Sequence, residues 1–140
     1  MKYLKDKQKF YLSLDKGDSI NKVFENFSLN EGIKCAWING IGAIKNPEVG
    51  YYSVQKKVYQ SKTFIGEYEL TSLLGNISIK EGNCFSHTHI TFSDINYQVY
   101  GGHLFEAKIA AAGEFILIPG KIEINREFNN NIGLPTWCME

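Results

Sequence analysis

The sequence predicts a sheet-dominated α+β domain in which one helix covers a sheet face. Three observations carry this expectation. Only one segment, through Ile20, Val23, Phe24 and Phe27, sets apolar residues at the i, i+3, i+4, i+7 spacing of a helix. From Ile33 onward, short runs rich in β-branched and aromatic residues are broken by Gly and Asn. The length of 140 residues, with 44% hydrophobic and 14% aromatic content, suits one domain that buries a core without disulfides or structural metals.

Taken in order, residues 8–14 alternate as a first strand, and Asp15-Lys16-Gly17 supplies a turn. Asp18 is placed to cap the helix, and Gly32 to end it. Strands are then expected near 33–44, 48–59, 62–69, 71–80, 84–92, 97–105, 107–112 and 114–124. Residues 125–140, with Asn129-Asn130-Asn131, Pro135 and Trp137, read as an irregular tail; a buried Trp137 would dock it on the domain or on a neighbouring subunit. The whole chain, 1–140, is thus one domain with a core at 8–124.

Fifteen Lys and Arg balance fifteen Asp and Glu, so the formal net charge is zero, and Arg126 is the single arginine. This discourages a nucleic-acid role and excludes guanine readout by several arginines. Lys5, Lys7, Lys9, Lys56 and Lys57 could form a basic patch, although ordinary solvated surface is the simpler reading. No apolar run approaches the length of a membrane span, and the charged start, Met1 to Phe10, has no apolar signal region. Cys35, Cys84 and Cys138 form no CxxC pair, as expected of reduced thiols in a cytoplasmic protein.

All three histidines fall in one stretch: Cys84-Phe-Ser-His-Thr-His-Ile-Thr-Phe92, a polar turn at Ser93-Asp-Ile-Asn96, then Tyr97-Gln-Val-Tyr-Gly-Gly-His-Leu-Phe105. As a hairpin, His87 and His89 leave the same face of one strand, whereas even-numbered Cys84 points to the other. A turn centred on Ile95 sets His103 opposite His87, and one centred on Asn96 sets it opposite His89. Either register converges three imidazoles on one face. Three neutral imidazoles suit a divalent metal and leave a coordination position open for water or a ligand. The competing reading is that the histidines merely pack or hydrogen-bond in a half-buried sheet. Gly101 and Gly102, just before His103, allow a close backbone approach or a bulge.

Partner acids are not placed by the sequence. Glu67, Glu69, Asp94, Glu106 and Glu114 are the acids available, with Glu67 and Glu114 as possible partners; Glu106 has the wrong parity, and Asp94 suits turn chemistry.

The segments Trp37-Ile-Asn-Gly-Ile-Gly-Ala43, Gly66 to Ile77, His87-Thr-His to Asp94, Tyr100-Gly-Gly-His-Leu-Phe-Glu106 and Gly113-Glu-Phe-Ile-Leu-Ile118 together resemble the plants-and-prokaryotes-conserved (PPC) domain family over roughly residues 8–124. The resemblance implies a mixed, largely antiparallel sheet packed with a helix, and a commonly trimeric assembly. It also implies a metal such as Zn²⁺ held by His87, His89 and His103. Plant members join the domain to an AT-hook and carry a DNA-binding label; this chain has no AT-hook. A cupin-type barrel shares the HxH string, but the usual carboxylate a few residues later is missing here.

Three functions follow as expectations. The first is a trimeric metal-binding domain that takes a small-molecule ligand or runs hydrolytic or lyase-like chemistry. The second is a DNA-associated regulator. The third is a structural oligomer using aromatics such as Tyr51 and Tyr52.

Overall fold

The structure is a computed structural model and describes residues 1–139. The chain begins with a hairpin of β1 (Lys2–Asp6) and β2 (Lys9–Asp15), then the helix α1 (Ile20–Asn30). Long strands follow: β3 (Ala36–Ser53), β4 (Val58–Thr63), β5 (Glu67–Lys80), β6 (Asn83–Ser93) and β7 (Val99–Pro119). A second hairpin, β8 (Asn125–Asn129) and β9 (Leu134–Trp137), ends the chain.

One mixed sheet runs β1-β2-β7-β3-β5-β8-β9, with β4 on β3 and with β6 paired to both β5 and β7. The pairings β3–β5, β5–β6, β6–β7 and β7–β3 are cyclic, so these four strands close on themselves. Every pairing is antiparallel except β5 with β8.

Alternation along β2 buries Phe10, Leu12 and Leu14, and the same periodicity in β6 buries Ser86, Thr88, Ile90 and Phe92. The helix lays Ile20, Phe24 and Phe27 onto this core. Phe24 meets Phe115 edge-on at 5.1 Å, and Phe27 meets Phe10 in the same way.

Four expectations are corrected. Asp18 does not cap the helix: its carboxylate accepts from the Asp15 amide and lies 3.3 Å from the N-terminal ammonium. Ser19 holds the cap position instead, with its hydroxyl donating to Glu106. The separate strands expected at 33–44 and 48–59 are mostly one, β3, because register slips around Gly42, Lys45 and Glu48 absorb Asn46 at positive φ and the donor-less Pro47. The runs at 97–105, 107–112 and 114–124 likewise merge into β7. Finally, 125–137 is a hairpin docked on its own domain through Ile79↔Asn125 and Lys80↔Arg126, not an irregular tail, and Trp137 is exposed. The buried core cluster runs from Phe10 to Leu117, and the exposed Tyr3 of β1 packs on Phe27 at its margin. Gly32 does close the helix, at φ +66, a conformation that costs glycine little.

Candidate metal centre

The two faces of β6 divide the labour. Its buried face is tied to α1: the Thr88 hydroxyl donates to Asn21 Oδ1 at 2.7 Å, and the Ser86 amide and hydroxyl donate to Glu25 Oε1 at 3.1 and 3.0 Å. The opposite face presents His87 and His89. Asp94 closes the turn, accepting from the Asn96 and Gln98 amides. That turn selects the register centred on Asn96, so His89 lies directly across from His103.

The three rings gather with centroids 5.2 Å (His87–His89), 5.1 Å (His87–His103) and 5.4 Å (His89–His103) apart. One ligand nitrogen from each lies within 4.8 Å of the others. Aromatic rings wall the cluster: Tyr59 and Phe105 stand 5.2 and 5.0 Å from His103, and Phe85 stacks on His87.

Burial, and then the neighbouring Arg126 charge and the other imidazoles, push His87 down to about 4. Burial pushes His103 to about 4 as well, assisted by His89 and Arg126, and it lowers His89 in the same direction. Neutral rings at neutral pH are what metal ligation needs. The buried His103 Nδ1 has no hydrogen-bond partner among the described residues, a costly arrangement for a polar atom that a metal ion would relieve. The donor set therefore fits a divalent ion. Because only three histidines converge, the ion would keep a coordination position open.

The same shifts fix a pH dependence for protein stripped with a chelator. Unfolded histidines take up protons near 6.5, whereas folded His87 and His103 wait until about 4. Between those values the unfolded state binds more protons, so stability is full above the upper value and falls as the pH drops toward the lower one. Urea midpoints measured with EDTA at about pH 7.5 and about pH 5 should show the loss, and a flat profile would contradict it.

Of the other sequence candidates, Gly101 and Gly102 lie on β7 just before His103, paired with Thr91 and Ile90 and without a bulge against β6. Their role is close approach. A Cβ on Gly101 would fall 2.6 Å from the Ile90 carbonyl oxygen, and one on Gly102 would fall 2.8 Å from that of Gly50. Gly101→Ala should cost about 1–3 kcal/mol in a urea melt and weaken metal uptake, because strand separation sets the His89–His103 distance.

Glu67 and Glu114 are not brought to the cluster within the chain. Glu67 opens β5 beside Lys45, and Glu114 lies across from Ser13 and Ile41. Cys84 does face away from the histidines, its Sγ donating to the Ile33 carbonyl at 3.6 Å. A shallow cavity of about 260 Å³, lined in part by Leu74, His89, Thr91 and the two glycines, opens beside the centre.

Sequence reasoning missed Arg126. Its Nε donates to Ser78 Oγ at 2.7 Å, Nη1 to the Pro135 carbonyl at 3.2 Å, and Nη2 to Asn76 Oδ1 at 3.0 Å. Nη2 also lies 3.1 Å from His87 Nδ1, a contact that must be exchanged for a metal to occupy either nitrogen of that ring. The available signal was composition: this is the single arginine in the chain.

Fold and cluster together define a small sheet-built domain with an open three-histidine centre able to hold a metal ion. The Plants and Prokaryotes Conserved (PCC) domain model matches residues 1–120, and the chain belongs to that family. Three solved structures are similar to it over nearly their whole length. A metal-containing protein from Archaeoglobus fulgidus is 35% identical, covering 98% of this chain and 96% of that one, with a TM-score of 0.87. A plant- and prokaryote-conserved protein from Pyrococcus horikoshii is 34% identical, covering 99% and 94%, with a TM-score of 0.87. A presumed DNA-binding protein from Bacteroides thetaiotaomicron is 33% identical, covering 98% and 96%, with a TM-score of 0.93. Comparison with curated proteins finds no match.

Proposed function

We propose that the chain is a divalent-metal-binding domain, with Zn²⁺ as the resident ion and a small molecule as the ligand at its open position. The observation that carries this reading is the convergence of three neutral imidazoles without a fourth protein donor among the described residues. The metal-containing relative supports it. When bound, such an ion supplies Lewis acidity, polarising a ligand oxygen or acidifying water. His87, His89 and His103 hold it, and the aromatic walls limit solvent. Elemental analysis of untagged protein should find about one ion per chain. Protein that carries none and takes up no Zn²⁺ would overturn the reading.

Self-association is part of the proposal. One row crosses the sheet through Leu4, Tyr11, Ile116, Asn39, Leu74, His89 and His103, each the register partner of the next. Leu4, Tyr11 and Leu74 are exposed there, as is Trp37 in the adjacent row. An apolar face of this kind, running up to the histidine cluster, supports subunit contact in a trimer. Of the two tyrosines considered for that role, Tyr52 donates to the Ile132 carbonyl within its own chain, whereas Tyr51 is exposed. Among the described residues no helix is long and apolar enough to cross a membrane, and the free cysteines suit a reducing cytoplasm.

A DNA-associated role is favoured by the descriptions of the Bacteroides relative and of a Ralstonia eutropha protein 25% identical to this chain. Against it stand the zero net charge and the commitment of Arg126 to the histidine cluster. A titration with duplex DNA at low salt should show no salt-sensitive binding; salt-sensitive affinity would establish the second reading.

A further inference from the structure

Arg126 is a half-buried cation for which, among the described residues, no carboxylate lies within ion-pair distance. Its protein hydrogen-bond partners, Ser78, Asn76, the Pro135 carbonyl and His87, are all neutral. Of the five N–H groups of a guanidinium, one on Nη1 has no partner here, and the one facing His87 is exchangeable. Its Cζ lies 5.3 Å from the centroid of the Phe85 ring, so the fork is fixed on one side by an aromatic face and on the other by β5. The chain uses lysine for its other fourteen basic residues, and it is the planar fork of arginine that can bind an oxyanion through two parallel bonds.

From this arrangement we propose that the centre recognises a small carboxylate, held between the Arg126 fork and the open coordination position of the ion. The inference rests on the metal reading above. With the ion in place, the cluster carries a divalent charge and a guanidinium, and no acid joins the three-histidine group among the described residues. Half-buried charge of one sign requires a counter-ion, and the ligand is the group left to supply it. Arg126 enters from the β8–β9 hairpin, beyond the residues 1–120 matched by the family model.

The test uses the full chain loaded with Co²⁺, whose visible absorption reports the ligands around the ion. Acetate should shift the spectrum of the wild type saturably. Arg126→Gln should keep one Co²⁺ per chain, bound at least as tightly because a neighbouring positive charge is gone, yet bind acetate at least about tenfold more weakly. Arg126→Lys, which preserves the charge, should recover part of that loss and guards against a folding defect in the glutamine variant. Acetate that leaves the wild-type spectrum unchanged, or binds all three proteins equally, overturns the inference while the metal reading stands. Failure of the wild type to bind Co²⁺ or Zn²⁺ overturns both. Inorganic phosphate forms the second arm: Arg126-dependent binding of phosphate but not acetate overturns the carboxylate assignment and makes phosphate the recognised group.

Discussion

Replacing His89 with alanine is expected to empty the metal centre without unfolding the protein. His89 is the exposed member of the triad, so its removal leaves no buried cavity, whereas His103 packs between Tyr59 and Phe105 and its loss would disturb both. Loss of a residue that merely orients a ligand typically weakens metal binding about 10–100-fold, and loss of a ligand itself should exceed that. Two imidazoles also leave the ion with little to distinguish the site from exposed histidine pairs elsewhere. Elemental analysis should therefore fall from about one ion per chain to a trace. The melting temperature of chelated variant and chelated wild type should agree within a few degrees. An ion retained at full stoichiometry would mean that it sits elsewhere, and a large loss of stability without metal would mean that His89 is a packing residue after all.

How much of this could be read beforehand depends on the range of the interaction that decides each feature. The histidine triad was legible because side-chain parity along a strand is local: His87 and His89 had to share a face, and any even register brought His103 to it. The choice between registers was not legible, since it turned on which polar turn residue lay at the centre, and Asp94 settles that by accepting two amides. The helix was visible from Phe24 and Phe27, but its cap was not. Asp18 is a good capping residue in isolation and is diverted by Asp15 and the chain's own amino terminus, a contact between distant segments. The breaks placed near Asn46-Pro47 and Gly113 were local signals overruled by long-range pairing, because a strand held on both sides can carry a bulge without ending. Arg126 was hidden for the same reason. Its segment has weak local propensity, and only parallel pairing with β5 carries it to His87.

A second large effect is expected far from the metal, at Phe24. This ring is wholly buried, and it meets Phe115 edge-on across the helix–sheet interface. Phe24→Ala removes that contact and leaves a cavity that close-packed neighbours fill only in part, so the loss should be about 3–5 kcal/mol. In a domain of this size that corresponds to a fall in melting temperature on the order of 10 °C. The midpoint of urea unfolding should drop with an unchanged slope, the signature of lost stability rather than altered compactness. Its reach into function runs through two polar anchors. Asn21 and Glu25, on the same helix, hold Thr88 and Ser86, the buried residues that alternate with His87 and His89. A helix loosened at Phe24 frees that face of β6, and the imidazoles on the other face lose their fixed spacing. Metal affinity measured in the folded range of temperature should therefore fall in Phe24→Ala although no ligand has been touched. If stability drops and affinity does not, the strand pairing of β6 with β5 and β7 is enough to hold the histidines, and the helix serves the core alone.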